Sequence, residues 1–400
     1  MTVAQDREAR SGYERDDGFG IYVHFPFCVS RCTYCDFVVT TPPDIPDNAY
    51  TTALIDELMS RADHFADRQL VSLYLGGGTP SLWSPDELTR FVKAVRQIVS
   101  TDALEEVTLE ANPGDLSPDH LNALVDAGIN RLSIGVQTLN DERLRDLSRR
   151  HTTDDALRSV TMAVEHPGLK SVSADLIYGL SGSTVESVSA DLETLLQLQV
   201  PHLSIYALML EPNTPMYHQV HRGVVNLPPD DAVADQAEAI YSRIADSPLE
   251  LYEISNAAKP GHYAIHNSLY WHMRPYLGLG VGAHGLEPRP GGQFVRRGNV
   301  RKVAAYLEAP TQPDTEKEMS ADDWLKDALL VRPRWLSGFQ LTDFEAWVRP
   351  MQVQALTTCC HDLVENGLLI RHGDHYRLTR RGWLLYNDVV LKFYAAIDGV

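Results

Sequence analysis

The chain reads as an α/β protein, a partial (β/α)6 barrel followed by a smaller helical, winged-helix-like C-terminal domain. Three observations predict this. From Ile21 to Ala207 six short apolar runs alternate with helical patterns, which calls for a parallel sheet with right-handed crossovers. Six such units fall short of the eight that close a barrel. Beyond residue 316 the pattern becomes helix, hairpin, helix.

The elements follow in order. Ile21 to His24 is the first strand. Asp47 is placed to cap a helix carrying Tyr50, Leu54, Leu58 and Phe65 at helical spacing. Val71 to Leu75 is the second strand, running into Gly76-Gly-Gly-Thr-Pro80. Ser84-Pro85-Asp86-Glu87 then starts a helix with a cap, a first-turn proline and a capping-box glutamate, its core face being Leu88, Val92, Val95 and Val99. Val107 to Glu110 is a strand, Ser117-Pro118 opens a helix and Gly128 closes it. Leu132 to Val136 is the fourth strand, and Asn140 and Thr153 cap two helices. Val172 to Ile177 is the fifth, Thr184 opens a helix with Val188, Leu192 and Leu195 inward, and Leu203 to Ala207 is the sixth.

Composition narrows the function. Four hundred residues of 44% hydrophobic content can bury a large core. Five cysteines are too few for a disulfide framework, and a centre built of thiolates needs a reducing compartment, so a cytoplasmic location is expected. Residues 1–20 are polar, without a signal-like apolar core, and are read as a flexible lead. No apolar run reaches the roughly 18 residues of a membrane span. A net charge of −19 repels phosphate backbones, so nucleic acid is not an expected partner.

Three cysteines, Cys28, Cys32 and Cys35, stand in one turn-rich stretch after the first strand. That spacing lets three thiolates converge on a soft metal centre. A four-iron cubane held by three cysteines keeps one iron open; structural zinc with His24 as fourth ligand is the competing reading. Chemistry in parallel sheets gathers at the carboxyl ends of strands. There the chain places the cysteines, the glycine run, Glu110, Gln137 and Asp175. A Glu, a Gln and an Asp in strands buried on both faces need partners, and several on one rim favour a binding site over separate loop-fixing bonds. The glycines let backbone N–H groups approach a carboxylate or phosphate. Gly280-Val-Gly282-Ala-His-Gly285 matches a dinucleotide fingerprint by count, but the Leu286-Glu-Pro-Arg-Pro stretch after it cannot be the helix that site requires. Residues 211–315 are read as an extension of the barrel that carries His266-Asn-Ser-Leu-Tyr-Trp271, and 316–400 as the C-terminal domain, with Cys359 and Cys360 in its core. The acidic balance favours a packing or docking role for that domain over DNA binding.

The C-x3-C-x2-C stretch with Tyr34 before its last cysteine, joined to Gly76-Gly-Gly-Thr-Pro80, resembles the radical S-adenosylmethionine (SAM) proteins. Tyr22-Val-His-Phe-Pro-Phe-Cys28, Leu109-Glu-Ala-Asn-Pro113, Ser133-Ile-Gly-Val-Gln137, Asp175-Leu-Ile-Tyr-Gly-Leu180 and Tyr276-Leu-Gly-Leu-Gly280 are similar to the group related to oxygen-independent coproporphyrinogen III oxidase. The resemblance spans about residues 20–395. It implies a [4Fe-4S] cluster on Cys28, Cys32 and Cys35, with SAM on the open iron and a 5′-deoxyadenosyl radical as the reactive product of its cleavage. It implies that Tyr22, Gly77 and Glu110 hold this SAM, and that Tyr34, Gly78, Thr79, Gln137, Arg149, Asp175 and Ala207 match positions around a second one. The oxidase has a further cysteine where this chain has Phe37. Cys35-Asp-Phe37 and His266-Asn267-x-x-Tyr270-Trp271 instead resemble the heme chaperone branch, which implies heme as a third ligand and a heme acceptor protein, soluble or membrane-associated, as partner. Ala264 replaces a cysteine and Leu330-Val-Arg-Pro-Arg-Trp335 a Gly-Leu-Arg stretch common there. No residue is assigned a catalytic role. Coproporphyrinogen III dehydrogenase and a radical SAM methyltransferase of the same subgroup are the alternative activities, and a zinc-binding interaction protein is the alternative without one.

Overall fold

A computed structural model describes residues 11–399. The first ten residues of the expected lead lie outside the described residues. The rest of that lead is not a free tail: residues 12–14 form a single 3-10 turn, Tyr13 is buried, and the first strand begins at Gly18.

The alternation is β1 (Gly18–Phe25), α1 (Asp47–Arg61), β2 (Gln69–Gly77), α2 (Pro85–Ile98), β3 (Glu106–Ala111), α3 (Pro118–Asp126) and β4 (Arg131–Gln137). It continues with α4 (Asp141–Asp146), α5 (Thr153–Val164), β5 (Ser171–Tyr178), α6 (Val185–Gln197) and β6 (His202–Ala207). Then come α7 (Pro215–His221), α8 (Asp230–Ala245), β7 (Glu250–Glu253), β8 (Asn256–Ala258), α9 (Ile265–Trp271), β9 (Tyr276–Leu279), β10 (His284–Pro288), β11 (Phe294–Asn299), α10 (Val303–Glu308) and β12 (Pro313–Glu318). The C-terminal part holds α11 (Ala321–Val331), β13 (Phe339–Gln340), α12 (Pro350–Glu365), β14 (Leu369–His372), β15 (His375–Leu378), α13 (Arg380–Leu384) and α14 (Tyr386–Asp398).

The six expected strands pair in parallel in chain order. The sheet does not stop there. It has 12 strands, because β9 adds a parallel partner to β1, β10 to β12 extend that edge antiparallel, and β8 and β7 extend the β6 edge. Segment 211–315 thus feeds both edges, with α9 crossing between them, but its expected end falls inside β12, whose pairing with β11 carries the sheet on to Glu318. The glycine run at residues 280–285 leads into β10 rather than a helix, and a side chain at Gly280 would meet the His24 carbonyl at 2.5 Å, so close backbone packing explains it.

Local capping departs from expectation in detail. Pro46 caps α1 and Asp47 lies in its first turn, where its carboxylate accepts from Ser84 N at 3.2 Å and ties the starts of α1 and α2 together. Phe65 falls in a 3-10 turn after α1. Ser84 caps α2 as expected, but Glu87 turns to Asn48 and Arg90, because two side-chain donors outcompete one backbone N–H. Thr152, not Thr153, caps α5, bonded reciprocally with Asp155. Ser117, Asn140 and Thr184 cap their helices as expected. The main core fills the space between sheet and helices; a second, around Leu329, Phe339, Cys360, Leu363 and Phe393, holds α11, α12, α14 and the β14–β15 hairpin together. Cys359 and Cys360 are buried in it.

Candidate functional site

The cysteine loop follows β1 and is fastened at three places. Cys28 N donates to Thr40 O at 2.9 Å and Thr40 N to Pro26 O at 2.8 Å, closing its base. At its tip Thr33 N and Oγ1 donate to the carbonyls of Leu147 and Asp146, and Met216 N of α7 donates to Thr33 O. All three cysteines stay partly exposed and line one cavity of about 550 Å³ at the carboxyl ends of the strands. Thr79 Oγ1 donates to Cys28 Sγ at 3.4 Å and Arg149 Nη1 to Cys32 Sγ at 3.6 Å, so donors already point at the sulfurs. Burial raises the Cys28 thiol, and pushes that of Cys35 up to about 11. A bound cation reverses that balance, since coordination deprotonates a thiol outright.

His24 is not available as a zinc ligand. It is buried, with Nδ1 at 3.0 Å from Tyr22 OH and Nε2 at 2.8 Å from Val38 O. Among the described residues no three Cys, His, Asp or Glu side chains gather as ligands of a single ion. Thiolates that each take a different corner of a cluster need no such crowding.

The glycine loop is built by backbone geometry. Gly78 N and Thr79 N donate to the carbonyls of Phe25 and Phe27, locking the loop to the root of the cysteine segment. Gly77 has φ +107, and a Cβ there would lie 2.5 Å from the His24 ring, so no other residue fits without displacement. Its N–H donates to Glu110 Oε2 at 3.0 Å, while Tyr74 OH donates to Oε1 at 2.7 Å. Burial raises the Glu110 pKa, with these two bonds pulling it back.

Across the cavity Ser133 Oγ donates to Asp175 Oδ1 at 2.9 Å, and Ser173 Oγ lies 3.3 Å from the same oxygen. Burial lifts Asp175 to about 7; Ser133 opposes the rise and the Glu110 charge adds to it. Arg149 donates to Gly135 O at 2.8 Å and to Asn112 Oδ1. Gln137 ends β4 with φ 67, a left-handed conformation that costs a non-glycine residue about 1–2 kcal/mol and turns its side chain to the cavity. The lining includes, of the expected residues, all three cysteines, Tyr34, Gly77, Gly78, Thr79, Glu110, Gln137, Arg149, Asp175, Ala207 and Asn267. Tyr74, Thr108, Arg131, Ser133, Ser173, His202 and Ser204 line it too, and sequence reading missed them. Their signal was present as period-two polar positions within the strands: Ser133, Gly135 and Gln137; Ser173 and Asp175; Ser204 and Tyr206.

Four expected residues lie outside that lining: Tyr22, His266, Tyr270 and Trp271. His266 is 1% exposed, its Nδ1 2.8 Å from Ser72 Oγ and its Nε2 2.8 Å from Tyr270 OH. The N–H groups of Ile265 and His266 donate to Glu106, setting a carboxylate at the start of α9. Trp271 lies under Arg334, 4.5 Å from guanidinium to ring, and Arg334 also pairs with Glu253 at 3.0 Å. The His-Asn-x-x-Tyr-Trp segment is therefore a floor helix, from which Ala264 and Asn267 reach the cavity.

The donor set suits a thiolate-held cluster beside a polar ligand. The Thr108 hydroxyl and Arg149 Nε are buried in the wall without partners, two polar atoms left for whatever fills the space. Comparison with known proteins agrees. A profile described as the Radical SAM superfamily matches residues 22–195. The chain is 35% identical over 374 residues to the heme chaperone HemW of Lactococcus lactis, covering 93% of this chain and 96% of that one. It is 32% identical over 384 residues to the heme chaperone HemW of Escherichia coli, covering 94% and 98%. Coproporphyrinogen III oxidase (HemN) from Escherichia coli shares the fold, with a TM-score of 0.80 at 22% identity over 96% of this chain and 92% of that one. The Radical SAM family implies a [4Fe-4S] cluster and SAM. With a thiolate loop, a glycine loop and a carboxylate rim on the parallel strands of one open sheet, and relatives matched along nearly their whole length, this chain belongs to the HemW family of the radical SAM superfamily.

Proposed function

We propose that this chain is a heme chaperone, binding heme and passing it to an acceptor protein. Cys28, Cys32 and Cys35 hold the cluster, and the cavity wall of Tyr34, Gly77, Gly78, Thr79, Glu110, Gln137, Arg149, Asp175 and Ala207 holds SAM. The observation that carries this reading is the single cavity in which all three thiols and both rim carboxylates meet. When bound, cluster and SAM supply one-electron chemistry; the protein supplies position and a site shielded from water. Glu110, held by Gly77 N–H and Tyr74 OH, fixes the glycine loop. The N–H groups of Gly77, Gly78 and Thr79 are all taken by Glu110, Phe25 and Phe27, so the loop shapes the wall rather than donating to a ligand carboxylate as the glycine run suggested. Asp175 can accept from an amino group or ribose hydroxyls, and Arg149 can pair a carboxylate. Tyr22 acts behind the wall, steadying His24 and, through it, the packing of Gly77. A reducing compartment suits the free thiols, and no helix among the described residues is long and apolar enough to cross a membrane.

The test is a pair of anaerobic experiments on the cluster-loaded protein. Heme titration should give a saturable Soret shift, and coproporphyrinogen III with SAM and reductant should remain unconverted, since Phe37 stands where the oxidase has its further cysteine. Steady formation of protoporphyrinogen with 5′-deoxyadenosine would establish the dehydrogenase reading instead.

A further inference from the structure

The mouth of the cavity has a character that SAM binding does not account for. Phe37 and Met209 line it and are 62% and 66% exposed, while Tyr206, on the same face of β6 as Ser204, lies deeper in the wall. Large apolar groups gathered at an opening mark a surface that something covers. Val29, 57% exposed, stands beside Cys28 on the same loop. Arg31 shares the mouth; its guanidinium donates to Cys35 O at 3.0 and 3.3 Å and meets no carboxylate among the described residues, in a chain of net charge −19.

Two facts narrow the occupant and its place. Pockets for one drug-sized ligand run roughly 300–1,000 Å³, so a cavity of about 550 Å³ that takes a cluster and SAM has no room to enclose a tetrapyrrole beside them. The other candidate seat, around His266, is closed, because both ring nitrogens of a buried imidazole are already engaged.

We infer that heme docks across the mouth of the cavity, its plane against Phe37, with the Met209 thioether as an iron ligand and Arg31 pairing a propionate. This rests on the chaperone reading above and locates its cargo. The chemistry is matched part for part: an aromatic face for a flat apolar ring, a thioether of the kind that ligates heme iron, and a guanidinium for a carboxylate. The heme would then be exposed on one face, which suits hand-over to an acceptor.

Heme titration of the full, cluster-loaded chain tests this, with Soret position and apparent Kd as readouts, for wild type, Phe37→Ser, Arg31→Gln, Met209→Leu and His266→Gln. Phe37→Ser and Arg31→Gln should each weaken heme about tenfold while leaving SAM affinity unchanged, and Met209→Leu should shift the Soret band. His266→Gln should keep the wild-type heme spectrum. If wild type binds no heme, the chaperone reading fails and this inference with it. If wild type binds and the three mouth variants match it, or only His266→Gln loses the spectrum, the chaperone reading stands and the location is wrong. Mouth variants that change the oligomeric state on size exclusion without changing heme affinity would make the patch an interface between copies, which also overturns the inference.

Discussion

Replacing Asp175 with Asn removes one ionisable group from the cavity wall while keeping its size and its bonds to Ser133 and Ser173 possible. Burial lifts the Asp175 pKa to about 7, so the carboxyl changes state between pH 6 and pH 8. If SAM needs the ionised form, about one molecule in eleven is competent at pH 6 and about ten in eleven at pH 8, so affinity should rise about tenfold across that window. The ligand's own ionisation acts on both proteins alike, and Asp175→Asn should lack the Asp175 contribution. Stability moves the other way. The folded pKa lies above the ordinary 3.8, so the stabilisation carried by the protonated form is complete below the unfolded value and lost as pH rises through about 7. Between pH 5 and pH 8 wild type should lose on the order of 1 kcal/mol relative to Asp175→Asn, once partial solvation of a carboxyl on the cavity wall is allowed for. Anaerobic calorimetry with SAM at pH 6, 7 and 8 reads the first effect, and urea midpoints read the second. A wild-type SAM profile parallel to that of Asp175→Asn refutes the assignment of Asp175 to ligand binding.

Three other outcomes are expected. Anaerobically purified protein should be brown with about four irons per chain, and Cys35→Ala should remove them; a colourless protein with one zinc per chain would overturn the cluster assignment. Gly77→Ala should lower thermal stability by about 2–4 kcal/mol and weaken SAM, since the new Cβ at φ +107 meets the His24 ring; an unchanged melting temperature would show that the loop relaxes freely. Glu106→Gln should destabilise by about 1.5–3 kcal/mol, because its carboxylate receives the first N–H groups of α9 and faces Arg131 at 3.9 Å; undiminished protection of α9 amides in hydrogen exchange would contradict the floor-helix role.

The sequence by itself determined the open parallel layout and the rim. Each strand from Ile21 to Ala207 is a short apolar run ended by a cap or turn signal, and such local signals depend on neighbours within a few residues. The cysteine loop was legible for the same reason, since its ligand spacing is covalent, and so was the rejection of the second glycine run, because Pro288 and Pro290 follow it and forbid a helix there. What periodicity cannot state is the partner of a buried face. That is why β9 to β12 were not foreseen as sheet extensions, and why Ser133, Ser173 and Ser204 passed as ordinary strand residues until the register Glu110–Ser133–Ser173 laid them along one wall. His266 is the sharpest case. Its motif was plain in the sequence, yet its surroundings come from Ser72 and Glu106, 194 and 160 residues away. Contacts of that span exist only once the sheet has closed over α9, so tertiary structure alone decided that this histidine is buried with both nitrogens engaged, while Asn267 beside it faces the cavity.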